Sequence, residues 1–160
     1  GDVVGLDGVS DLIMMAAPTN YYVVVKHRNH LGVMSNATIG LNETTATVVD
    51  FTNNSFTTFG TNAQTTFGMP SGVLALWAGD ANADNTIQFS GSSSDANTIK
   101  DYILADPANI LNFITFTSSG YSIFDVDLNA SARFSGSAND SNIIKDNILN
   151  HPLNFLNLPS

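Results

Sequence analysis

Up to residue 78 the chain alternates short apolar runs with Asn, Gly, Ser and Thr. Tyr21-Tyr22-Val23-Val24-Val25 is aromatic and β-branched and follows the turn-forming Pro18-Thr19-Asn20, so it predicts a strand. Ala37-Thr38-Ile39-Gly40-Leu41 alternates with period two, as does Thr45–Phe51 less cleanly, with Asn42-Glu43 suited to a turn between them. Gly72-Val73-Leu74-Ala75-Leu76-Trp77 reads as a buried strand. Thr52–Thr66, rich in Asn, Thr and Phe, suits a loop with aromatic anchors or a twisted hairpin. Strands spaced about ten residues apart predict an antiparallel β-sandwich-like unit over residues 1–78, short of strands for a closed sandwich.

The pattern changes at Ala78-Gly79-Asp80. Ile99 and Ile103 lie one helical turn apart, as do Ile144 and Ile148, and Pro107 and Pro152 follow and prevent continuation. Ile110, Leu111, Phe113 and Ile114 suggest a second short helix or turn. The two helical segments belong to a gapless repeat. Asp80–Asp95 maps onto Asp125–Asp140 at an offset of 45, and Asn97, Ile99, Lys100, Asp101, Ile103 and Leu104 recur as Asn142, Ile144, Lys145, Asp146, Ile148 and Leu149. The chain therefore divides into a β-sandwich-like part, 1–78, and a duplicated loop–helix part, 79–160. The fold class expected is α+β, with Trp77 at the seam.

The repeated loops have the oxygen spacing of a calcium site. Calcium takes six to eight oxygens at about 2.3–2.6 Å, and side chains at positions 1, 3 and 5 of a tight loop, with a main-chain carbonyl at position 7, wrap four of them around one ion. The first loop offers Asp80, Asn82, Asp84 and the carbonyl of Thr86, closed by Asp95; the second offers Asp125, Asp127, Asn129 and the carbonyl of Ser131, closed by Asp140. Two ions of Ca2+ are expected. The loops depart from the EF-hand pattern in two ways. Position 6, ordinarily Gly, holds Asn85 and Ala130, and Ala tolerates positive φ poorly. The closing acid is Asp, displaced four residues by the insertion Phe-Ser-Gly-Ser. That insertion is expected to bulge outward with Phe89 or Phe134 packed inward. On this basis the first loop is expected to be the better site. The alternative without metal is a pair of Asx turns capping helices.

Composition narrows the function. The formal net charge is −9 with only five basic residues, which leaves no footprint for nucleic acid or anionic lipid. Six of the 14 acids are in the proposed ligand sets. Cysteine is absent, so thiolate metal sites and disulfides are excluded. No apolar run reaches the roughly 18 residues of a membrane span. The chain opens on Gly1-Asp2-Val3-Val4 and reads as a mature fragment. Low Lys, high Asn, Thr and Ser, and calcium-type loops predict an extracellular or cell-surface setting, where calcium is millimolar.

The duplicated loop–helix resembles a dockerin module, in which two such units bind calcium and dock on a partner domain. Tyr21-Tyr22-Val23-Val24-Val25-Lys26-His27-Arg28-Asn29-His30-Leu31-Gly32-Val33-Met34, Leu74–Asp80 and the Phe-Ser-Gly-Ser repeats together resemble a C-terminal region of large secreted surface proteins of Bacteroidetes, many of them hemagglutinin-like. The resemblance spans nearly the whole chain and implies surface display and a calcium-stabilised module. Ordinary dockerins lack the four-residue insertion, so cohesin-type binding does not carry over.

Other chemistry is sparse. His27-Arg28-Asn29-His30 has metal-ligand spacing, but in a continuous strand residues three apart face opposite sides, so a polar loop closing a hairpin is the expectation. His151 stands apart. Paired carboxylates of a glycosidase are not expected, because the acids are claimed by the loops; no nucleophile elbow or phosphate loop occurs. The reading is a non-catalytic calcium-binding module for display, adhesion or protein–protein assembly, with a protein partner or self-association. Two alternatives stand beside it. One is a carbohydrate-binding module stacking sugars on Tyr21, Tyr22, Phe56, Phe59 or Trp77, and the other is a subunit of a surface filament or layer.

Overall fold

A computed structural model describes residues 3–159. The first part holds β1 (Asn20–Tyr21), β2 (Val24–His27), β3 (His30–Met34), β4 (Ile39–Gly40), β5 (Gln64–Thr65) and β6 (Ala75–Leu76). The second holds α1 (Asp95–Ala105), β7 (Thr117–Ser119), β8 (Ser131–Arg133) and α2 (Asp140–Leu149). The fold is α+β, with four two-stranded antiparallel ladders, β1–β4, β2–β3, β5–β6 and β7–β8.

Where alternation suggested a sandwich, the described strands are short and paired in twos. Asx turns account for much of the interruption. Asn42 Oδ1 accepts from the N–H groups of Thr44 and Thr45, Asp50 Oδ1 from Thr52, and Asn53 Oδ1 from Ser55, so side chains take donors that a longer ladder would use. The stretch Thr45–Asp50 accordingly contains no strand, and β4 pairs with β1 instead.

The β2–β3 hairpin closes through the two residues Arg28-Asn29, with His27 opposite His30. Its register shifts between Val25 and His27. Gly32 suits that irregularity, because a Cβ there would lie 2.8 Å from Lys26 Cγ and 3.3 Å from the Val25 carbonyl.

The main apolar core belongs to the repeat. Ala81, Ala96, Ile99, Ile103, Val126, Ala132 and Ile144 are buried together, with Phe89, Phe134 and Ile148 packed against them. The helical spacing of isoleucines therefore marks the inward faces of α1 and α2, as their sequence predicts. Trp77 is also buried, donates its indole N–H to the Asn62 carbonyl at 2.8 Å, and lies 5.1 Å from the His151 ring. Gly79 passes close beneath α2: a Cβ on it would meet Ile144 Cγ1 at 3.1 Å and Ile87 Cγ2 at 3.2 Å, and its φ of 129° suits glycine. No helix of the described residues is long and apolar enough to cross a membrane.

Candidate metal centre

Each helix is preceded by a loop built to one hydrogen-bonding plan. In the first, Asp80 Oδ1 accepts the N–H of Asp84 at 2.9 Å and Oδ2 that of Asn85 at 3.1 Å. In the second, Asp125 Oδ1 accepts Asn129 N–H at 3.0 Å and Oδ2 accepts Ala130 N–H at 3.1 Å. Asp95 takes Ala81 N–H at 2.7 Å, Asn82 N–H at 3.2 Å and Gln88 N–H at 2.7 Å. Asp140 takes Val126 N–H at 2.6 Å, Asp127 N–H at 3.3 Å and Arg133 N–H at 2.7 Å. The position 5 side chains Asp84 and Asn129 accept the N–H groups of Thr86 and Ser131. Every one of these bonds maps onto its partner at the 45-residue offset, so the repeat is conformational as well as sequential.

The backbone is bent alike in both loops. Ala83 and Leu128 have φ of 60° and 62°, and Asn85 and Ala130 have φ of 65° and 66°. Ala tolerates positive φ poorly, yet Ala130 adopts the left-handed conformation as fully as Asn85. The Asp125 carboxylate holds its N–H in place, which offsets a steric cost of about 1–2 kcal/mol. The insertion behaves as expected. Gly91–Ser93 and Gly136–Ala138 are exposed, while Phe89 and Phe134 both turn inward. Ser94 and Asn139 then cap the helices, accepting from the N–H of Asn97 and Asn142.

The loops differ in where their acids point. In the second, carboxylate oxygens of Asp125, Asp127 and Asp140 all lie within 4.8 Å of one another. Two oxygens on opposite sides of a calcium ion are about 4.8 Å apart, so the three fit around a single ion. Asp125 and Asp140 are fully buried, and Asp127 is more exposed. Burial pushes the Asp140 carboxyl above its ordinary value despite its three N–H partners, and the charge of Asp127 adds to the rise. Burial likewise raises Asp127, with the charge of Asp125 contributing. A divalent cation would relieve both effects.

In the first loop Asp80, Asp84 and Asp95 form no such cluster among the described residues. The acid that the second loop carries at position 3 is Asn82 here, and its amide donates to Asp84 Oδ2 at 3.1 Å and to the Ser93 carbonyl at 2.9 Å. Burial also raises the Asp95 carboxyl, again against its N–H bonds. In the second loop Asn129 Nδ2 donates to Asp127 Oδ2 at 2.8 Å, and Ser131 opens β8. Thr86 and Ser131 occupy position 7 of their loops, each donating its N–H to the position 5 side chain. The segment β8 pairs with β7, the strand between the repeats, with Ser119 opposite Ser131.

Two groups of functional relevance were not read from the sequence as such. Arg28 and Asn29 do more than close a hairpin. Asn29 is fully buried, its carbonyl accepts the N–H groups of Gly79 at 2.9 Å and Asp80 at 3.1 Å, and its amide donates to the carbonyls of Ile123 at 2.9 Å and Asp125 at 2.7 Å. One residue thus holds the opening of both loops. Arg28 donates to the Ser122 carbonyl, lies over the Tyr121 ring and sits 3.5 Å from Asp125 Oδ2. The second group is the pair Asn109 and Asn154. Asn109 Nδ2 donates to Ile103 and Phe113 carbonyls and its Oδ1 accepts Phe113 N–H; Asn154 does the same with Ile148 and Leu158. This extends the 45-residue correspondence past both prolines, and the signal was the shared Pro-x-Asn-x-x-Asn at 107–112 and 152–157.

No family model, no curated protein and no solved structure matches this chain.

Proposed function

We propose that the protein is a non-catalytic extracellular calcium-binding module, one ion per repeat, that serves surface display, adhesion or protein–protein assembly. The observation that carries this reading is the convergence of Asp125, Asp127 and Asp140 within a single ion's coordination distance. The matching main-chain geometry of the first loop supports a second ion there, held by Asp80, Asn82, Asp84, Asp95 and the Thr86 carbonyl. Asp125, Asp127, Asp140, Asn129 and the Ser131 carbonyl are the corresponding set in the second. Bound calcium would supply folding free energy to a small, strained module by neutralising its buried carboxylates.

Assembly is supported by apolar side chains displayed at equivalent places in the two repeats. Ile110, Leu111 and Phe113 are exposed after α1, and Phe155, Leu156 and Leu158 after α2, each set on a turn held by Asn109 or Asn154. Side chains of this size left in water on a fixed backbone suit protein docking. The dockerin-like and Bacteroidetes surface-protein resemblance is in keeping with that role.

Differential scanning calorimetry tests the calcium reading. Addition of millimolar calcium is expected to raise the melting temperature relative to chelator, and Asp140→Asn should remove a large part of the rise. An unchanged melting temperature would refute it.

A further inference from the structure

The hairpin turn brings together two histidines that a straight strand would separate. His27 and His30 stand opposite each other across Arg28-Asn29, and their Nδ1 atoms are 2.9 Å apart. A third donor atom is beside them: Asn29 Oδ1 lies 2.8 Å from His30 Nδ1. The orientation of that amide is fixed, because its nitrogen donates to two carbonyls, those of Ile123 and Asp125, so the oxygen must face the histidine. Asn29 Oδ1 can only accept, which assigns the His30 proton to Nδ1 and makes His27 Nδ1, 2.9 Å away, a second acceptor whose lone pair is directed at the same place.

From this geometry we infer that His27 Nδ1, His30 Nδ1 and Asn29 Oδ1 form a binding site for a divalent copper or nickel ion, separate from the carboxylate loops. Two metal–nitrogen bonds of about 2.05 Å that meet near 90° leave their nitrogens about 2.9 Å apart, whereas a tetrahedral angle spreads them to about 3.3 Å. The observed separation therefore matches the tetragonal geometry of copper(II) or nickel(II) more closely than that of zinc. Imidazole nitrogen suits these ions and does not suit calcium, so the two kinds of site do not compete for one cation. Binding needs the His30 proton to move from Nδ1 to Nε2, a change of tautomer with no change in charge. The move gives up the His30 Nδ1–H hydrogen bond to Asn29 Oδ1, which metal–ligand bonds at both atoms replace, and neither Nε2 is among the fully buried polar atoms, so water can take the new N–H. Water completes the coordination shell on the half-exposed side of the pair.

Titration of copper(II) into the full chain, in buffer holding millimolar calcium, tests the site. Binding is followed by calorimetry and by electron paramagnetic resonance. The wild type is expected to take up one copper with the nitrogen hyperfine pattern of two imidazoles. His27→Ala and His30→Ala should each weaken that binding at least tenfold, and His151→Ala should leave it unchanged. If His27→Ala and His30→Ala bind copper as the wild type does, or if the wild type shows no two-imidazole spectrum, the pair is a hydrogen bond only and the site is refuted. His27→Ala, at the half-exposed position, decides the matter should His30→Ala not fold. The outcome is independent of the calcium reading, since no carboxylate is a ligand here.

Discussion

The side-chain amide of Asn29 donates to the main-chain carbonyl of Asp125 at 2.7 Å, across 96 residues of sequence. Because the Asn29 carbonyl also receives the N–H groups of Gly79 and Asp80, the hairpin tip fixes the first residue of both loops. The β part and the repeat are thus connected at the point where the candidate ligands begin.

Asn29→Leu should therefore destabilise the protein beyond an ordinary surface change. The variant leaves the carbonyls of Ile123 and Asp125 without their donor in a buried place, at a cost of about 2–4 kcal/mol. Urea unfolding would measure it. A loss below about 0.5 kcal/mol would mean that the bridge does not matter.

The closing aspartates should divide the calcium response by repeat. Asp95→Asn is expected to abolish calcium binding at the first loop and Asp140→Asn at the second, each leaving one ion where the wild type takes two. Each also replaces one carboxylate oxygen by an amide that faces main-chain N–H groups, so a stability loss of about 2–3 kcal/mol accompanies it. Calorimetric titration gives the stoichiometry, and two ions bound by either variant would contradict the assignment.

Stability with and without calcium should diverge as pH rises. Asp95, Asp127 and Asp140 have carboxyls raised above the ordinary 3.8 chiefly by burial. A raised folded-state value contributes stability that is complete below the unfolded value and lost as pH climbs through the folded one. In chelator, these three groups therefore weaken the fold as they ionise above 3.8. On the proposed reading calcium binds the ionised form and reverses their effect, so the stabilisation by calcium should grow over that interval. His30 acts in the opposite sense. Its value is lowered to about 4, so its contribution is full above 6.5 and lost as pH falls towards 4, with or without calcium. Melting temperatures measured in calcium and in chelator across mildly acidic pH would check the divergence; a constant difference would argue against it.

Ala130→Gly should stabilise the second loop. The residue stands at φ 66°, where glycine pays no steric cost, and the net gain after glycine's larger chain entropy is about 0.5–1 kcal/mol. Ala130→Val should lower the melting temperature by several degrees. The opposite order of the two variants would show that the left-handed geometry is not kept in solution.

Much of the site was legible because its contacts are local. Asp and Asn side chains bind main-chain N–H groups a few residues away, so the placement of Asp80, Asp84, Asp95 and their repeats follows from sequence spacing. The ranking of the loops was not legible. The propensity of Ala130 does not reveal that Asp125 holds its N–H, and among the described residues only the second loop, with Asp127 at position 3, draws three carboxylates together. The β-sandwich expectation rested on alternation and on the spacing of the apolar runs, and neither reveals that Asn42, Asp50 and Asn53 divert backbone donors into turns.

By itself the sequence determined the repeat, the loop positions of its Asp and Asn side chains, the helix faces and the inward phenylalanines of the insertion, all set by spacings within one unit. The tertiary structure decided the rest. It set His27 against His30 through a two-residue turn, and it joined Asn29 to Asp125 and Arg28 to Ser122 across 96 and 94 residues. It also paired β8 with β7, the strand between the repeats. Such contacts depend on which surfaces close over the shared core of Ile99, Ile103 and Ile144, and that closure is a property of the whole chain's packing, beyond the reach of any local pattern.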